Sequence, residues 1–89
     1  MKIKQGFVLR KVMDNYVIIA IGDMGKNFRG MIKLNATAAD VWSYLESGYS
    51  EEQICDAMLE KYDVERDRLV ADVKAILSRF AEQGFVEAE

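Results

Sequence analysis

The stretch GMIKLNATAADVWSYLE, residues 30–46, changes its period halfway along. Met31 to Leu34 alternate as a strand does, and Ala38, Val41, Trp42 and Leu45 then recur at i, i+3, i+4 and i+7, the spacing that turns one helix stripe inward. No spare loop separates the two. Asn35 stands at the junction, where its side-chain oxygen can accept an amide of the first helical turn, and Gly48 supplies the stop.

Upstream of this junction, GFVLRKV (6–12) and YVIIAI (16–21) are rich in β-branched and aromatic residues and flank Met13, Asp14 and Asn15, which predicts a hairpin. The segment GDMGKNFRG (22–30) carries three glycines and reads as a turn or loop leading into a third strand, Met31 to Leu34. Downstream, Ser50 and Gln53 form a capping box, with Tyr49 and Ile54 at the hydrophobic-staple positions, so a second helix runs from there to about Tyr62. A third begins near Asp63 to Arg66 and carries Leu69, Val70, Val73, Ile76, Leu77 and Phe80. Gly84 falls at C′ and Phe85 at C″, within reach of Phe80. The expected order is β-β-β-α-α-α: an α+β chain with a three-stranded antiparallel meander and the outline of a winged helix-turn-helix.

Bulk composition narrows the function classes. With 89 residues, 51% hydrophobic and 30% charged, the chain suits one globular domain spanning 1–89. The N-terminus lacks the apolar run of a signal peptide, and no segment approaches a membrane span, so a cytoplasmic protein is expected. There is no histidine and a single cysteine, Cys55, which leaves no ligand set for zinc and no cofactor signature. Charge is divided: residues 1–35 hold seven Lys/Arg against two Asp, and residues 36–89 hold five against thirteen acids. Opposite signs on the two halves fit either solvated acidic helix faces or a surface that steers charged partners.

Evidence for catalysis is thin. Glu51, Glu52, Asp56, Glu60, Asp67, Asp72 and Glu82 occupy predicted polar helix positions, and a solvated face accounts for them better than an acid-base pair does. Cys55 has no histidine to activate it, and Trp42 sits at a packing position. Gly22, Gly25 and Gly30 do not form a phosphate loop. DNA binding by a winged-helix regulator is the alternative that the fold outline raises. Yet on the third helix Arg66, Arg68, Lys74 and Arg79 are cancelled by Glu65, Asp67, Asp72 and Glu82.

A peptide partner fits the pattern better. The third strand is an outer strand of the meander, so one row of its N–H and C=O groups faces solvent as a template for another extended chain. On the helical wheel Leu69, Val73, Ile76 and Phe80 centre the buried stripe of the third helix, and Val70, Leu77 and Ala81 widen it on one side. That widened flank is expected either to wall a peptide groove or to pack another helix. Lys26, Arg29 and Lys33 around the strand would favour an acidic partner, and charged residues also guard edges against aggregation.

The opening KIKQGFVLRKV, the phrase GMIKLNATAADVWSYLESGYSEEQI, the span LEKYDV and the closing DVKAILSRFAEQGFV occur in this order over nearly the whole chain. In these phrases the sequence resembles the pyrroloquinoline quinone biosynthesis protein D (PqqD) family, the stand-alone form of the recognition element for precursors of ribosomally made, modified peptides. The resemblance implies a winged helix-turn-helix in which a leader peptide lies as an added strand against the third strand and third helix. The implied contacts are Gly30, Met31, Ile32, Lys33 and Leu34, with Arg29 beside them, and Val70, Val73, Lys74, Leu77 and Ala81 on the helix flank chosen from the wheel. It further implies a non-catalytic protein, without cofactor or nucleic acid, that works beside a modifying enzyme such as a radical SAM maturase or a leader peptidase of the lasso type. Monomer and homodimer both fit an open strand edge. Cofactor-pathway members resemble a PEG phrase before the third strand, where this chain has KNFRG, so both the pyrroloquinoline quinone pathway and another modified-peptide pathway stay open.

Overall fold

A computed structural model describes residues 2–21 and 31–87. Strands β1 (Lys2–Ile3), β2 (Phe7–Val12), β3 (Asn15–Ala20) and β4 (Met31–Leu34) precede helices α1 (Ala36–Glu46), α2 (Glu51–Lys61) and α3 (Arg66–Glu82), and β5 (Val86–Glu87) closes the order. The expected antiparallel meander is present as β2-β3-β4. A second, two-stranded sheet pairs β1 with β5, Lys2 opposite Glu87 and Ile3 opposite Val86, and Lys4 N–H adds a bond of 2.8 Å to Phe85 C=O. Sequence periodicity gave no hint of it, because two residues are too short to show alternation and the partner lies at the other end of the chain. The segment 22–30, expected as a loop, lies outside the described residues.

Local chemistry accounts for the element ends. At the β4–α1 junction Asn35 keeps extended backbone, and its Oδ1 accepts from Ala38 N–H at 2.8 Å. The capping box of α2 is complete: Gln53 N–H donates to Ser50 Oγ at 3.2 Å, and Ser50 N–H donates to Gln53 Oε1 at 2.8 Å. Both α1 and α3 end in the same closure, a glycine in the left-handed region followed by an aromatic. Gly48 (φ 86) donates to Leu45 C=O and Tyr49 to Tyr44 C=O, and the rings of Tyr44 and Tyr49 stack at 5.1 Å. Gly84 (φ 79) donates to Ala81 C=O and Phe85 to Phe80 C=O, the aromatic contact expected from sequence.

One face of the meander carries Phe7, Ile18 and Leu34 into the core, with Leu9, Tyr16, Ala20 and Ile32 half-buried beside them. There they meet Trp42, fully buried at 0% exposure, whose ring stands edge-on to Phe80 at 5.4 Å and to Phe85 at 5.6 Å. Phe7 packs edge-on against Phe85 at 4.9 Å, joining sheet and C-terminus. The stripe of α3 is centred on Leu69, Val73, Leu77 and Phe80, all buried. Ile76, expected at its centre, is half-buried, and Leu77, expected on its flank, is interior. The stripe is rotated because α2 packs along the Leu77 side: Arg66 pairs with Asp56 of α2 at 3.2 Å across that flank.

Candidate functional site: the open edge of strand β4

β4 borders β3 on one side, and among the described residues nothing pairs with its other side. The ladder fixes which backbone groups face outward. Ile21 N–H donates to Gly6 C=O at 2.7 Å, just beyond the Phe7–Ala20 pair, so in the β2–β3 ladder the hydrogen-bonded pairs continue at Val8–Ile19, Arg10–Val17 and Val12–Asn15. Tyr16 and Ile18 therefore aim their backbone groups at β4, where their partners are Leu34 and Ile32. Successive residues of a strand point their amides in opposite directions. It follows that Ile32 and Leu34 are engaged inside the sheet, and that the N–H and C=O of Met31 and of Lys33 face the open side.

Side-chain facing follows the same alternation. Ile32 and Leu34 face the core, half-buried and buried, whereas Lys33 is exposed on the opposite face of the sheet. Arg29 and Gly30, expected to join the strand site, lie outside the described residues, as does Lys26.

Immediately past Leu34 a hollow of about 260 Å³ opens between the start of α1 and α3, lined by Asn35, Thr37, Ala38, Asp72, Ala75, Ile76 and Arg79. Ile76 and the two alanines give it apolar walls, and Asp72 and Arg79 bring one charge of each sign. These α3 residues are not the ones chosen from the wheel. Val73 is fully buried, and Leu77 is buried as well. Val70 is half-buried against the core, Ala81 is exposed, and Lys74 is exposed on the side where its charge acts on Cys55 of α2. Val70, Lys74 and Leu77 thus share the flank of α3 that carries the Arg66–Asp56 pair to α2. Periodicity finds a widened flank but does not say which neighbour covers it. Ile76 and Arg79 were legible only as an apolar position and a helix charge.

A wider hollow, about 430 Å³, is lined by Lys2, Leu45, Gly48, Tyr49, Ser50, Glu51 and Leu77. It lies at the opposite end of α1 from Asn35, roughly 16 Å away by helix rise, beside the two-residue strand β1 rather than β4. Burial, and after it the Glu51 charge, push the Cys55 thiol above its ordinary value, which holds it as the unreactive thiol. Asp40 of α1 accepts from Tyr62 Oη at 2.5 Å and from Lys61 Nζ at 3.0 Å, and these bonds hold the end of α2 against α1. Hydrogen bonding to Asp40 raises both the Tyr62 and the Lys61 pKa. Among the described residues no group of three or more His, Cys, Asp or Glu is arranged to hold a metal ion, and no helix is long and apolar enough to cross a membrane.

Solved structures share this architecture. TbiB1, solved in complex with the TbiA(β) leader peptide, aligns over 100% of this chain and 98% of its own, with 27% identity and a TM-score of 0.82. A lasso peptide synthetase B1 complexed with the leader peptide aligns over 98% and 96%, with 21% identity and a TM-score of 0.81, a likeness that carries the fold alone. No curated protein matches the chain. The sequence model of the family described as Coenzyme PQQ synthesis protein D (PqqD) matches residues 16–86, from the central strand of the meander to the last strand, and with that span of agreement the chain belongs to the PqqD family.

Proposed function

We propose that this protein is a non-catalytic adaptor that captures the leader of a ribosomally synthesised precursor peptide as a fourth strand on the open edge of β4. It then presents the remainder of the peptide to a separate modifying enzyme. The observation that carries this reading is the outward pair of Met31 and Lys33 backbone groups on an edge with no partner among the described residues. Each main-chain bond formed there contributes about 0.5–1.5 kcal/mol, enough in sum for a reversible hold but not for sequence choice. Sequence choice then falls to side chains entering the hollow beside Ile76 and Arg79. Holding the leader raises the effective concentration of the peptide at the enzyme without turnover in the adaptor itself. On this reading it acts in the cytoplasm beside a radical SAM maturase or a leader peptidase of the lasso type, and the leader peptide bound by TbiB1 supports the peptide partner.

The test is a titration of isotopically labelled protein with the leader peptide encoded beside its gene, followed by amide shifts. Strand addition predicts shifts concentrated at residues 31–34 and on the Asp72–Arg79 face of α3. A leader that leaves those amides unmoved refutes the proposal. Binding to duplex DNA that weakens steeply with salt would favour the winged-helix regulator instead.

A further inference from the structure

The face of the meander turned away from the core is not polar. It carries Val8, Val17 and Ile19, and Val12 and Ile21 are exposed at 49% and 50%. A hollow of about 310 Å³ lies on it, lined by Val12, Asn15, Val17 and Lys33. Across the sheet Val17 stands between Arg10 on β2 and Lys33 on β4, so the apolar floor has a cation on either side. At the hairpin tip Met13 holds a left-handed backbone (φ 58) and is 88% exposed. A residue with a Cβ is disfavoured there by about 1–2 kcal/mol relative to its usual conformations, and Met13 regains nothing by burial. A strained, solvent-facing methionine beside a cation-flanked apolar hollow is a contact surface lacking its partner.

Lys33 identifies the partner, because it belongs to two surfaces at once. Its backbone groups face the open edge and its side chain lines the hollow. A strand added at that edge would extend this same face, since every second side chain of the added peptide projects onto it. Any protein seated in the hollow therefore abuts the captured peptide. A second copy docked through this same face is disfavoured, since its own Arg10 and Lys33 would be brought against the same pair of cations. Resting on the leader-capture reading above, we propose that the Met13 hairpin tip and the outer sheet face form the docking surface for the enzyme that processes the captured peptide, and that this enzyme offers an apolar patch rimmed by carboxylates.

Two variants test it in the full-length chain. Met13→Gly removes the apolar tip and relieves the backbone, so the melting temperature should hold or rise. Arg10→Glu reverses a rim charge without touching the β4 edge. Each is titrated separately with the leader peptide and, once leader-loaded, with the purified processing enzyme encoded beside the gene. Expected are a loss of enzyme affinity of about tenfold for each and leader affinity within about twofold of the parent. Variants that bind the enzyme as the parent does overturn the proposal, and so does a change confined to self-association in sedimentation. A parent chain that fails to bind the leader brings down the underlying capture reading, and only the leader arm reports that failure.

Discussion

Proline substitution along β4 separates a strand-adding edge from an ordinary exposed strand, because neighbouring residues should respond in opposite ways. Lys33 N–H faces the open side, so Lys33→Pro deletes a donor that has no partner among the described residues and that an added strand would use. The acceptor left unpaired on the peptide costs about 1–3 kcal/mol, which weakens leader binding by about 5- to 150-fold, with the adaptor still folded. Ile32→Pro instead removes a donor engaged with Ile18 inside the sheet, and the ring has no room on that side. It should destabilise the fold by about 3 kcal/mol or more and lower the melting temperature by more than about 12 °C. Lys33→Ala is the control that removes the side chain and keeps the N–H, and it should bind the leader within a few-fold of the parent. Thermal unfolding by circular dichroism and leader titration by fluorescence anisotropy supply the two readouts. If Lys33→Pro binds the leader as tightly as Lys33→Ala, no peptide strand adds at this edge. If Lys33→Pro unfolds and Ile32→Pro does not, the hydrogen-bond phase of the ladder is the reverse of the one derived.

Three further outcomes follow from the packing. Trp42→Ala should cost about 3–5 kcal/mol in urea unfolding, while Trp42→Phe should cost far less, because the buried Nε1 has no hydrogen-bond partner among the described residues and its loss strands nothing. Gly84→Ala meets no atom within 4 Å of the added Cβ, so its cost is the left-handed backbone alone, about 1–2 kcal/mol in the same assay; a neutral result would refute the closure described at the end of α3. Asp40 raises the pKa of both Tyr62 and Lys61, so the stability these bonds supply is fully present below about pH 10 and is lost as pH rises through the folded values. Urea midpoints measured from pH 8 to 11 should fall less steeply in Asp40→Asn than in the parent.

Much of the framework was legible because it is written locally. The change of period at Asn35, the Ser50–Gln53 box and the Gly84–Phe85 closure each depend on residues a few positions apart, and each stands where the spacing put it. What escaped is non-local. The Lys2–Glu87 pairing joins residues from opposite ends of the chain. A wheel shows that Val70, Leu77 and Ala81 widen an apolar stripe of α3, but not that α2 lies along it. Asp72, Ile76 and Arg79 look ordinary in sequence, a surface acid, a core aliphatic and a helix cation, and acquire a shared role only where α1 begins against them.

The β1–β5 ribbon sets Lys2 directly opposite Glu87. Paired antiparallel residues have Cα atoms about 4.5–5.5 Å apart, so the two ends of this fold leave through a single narrow gate. A unit with such a gate can be spliced into a surface loop of a larger host, or have its ends joined and be reopened at the Met13–Asp14 turn, without prising its interior apart. The same adaptor could in this way be built into an enzyme as an inserted module, with its β4 rim still facing outward.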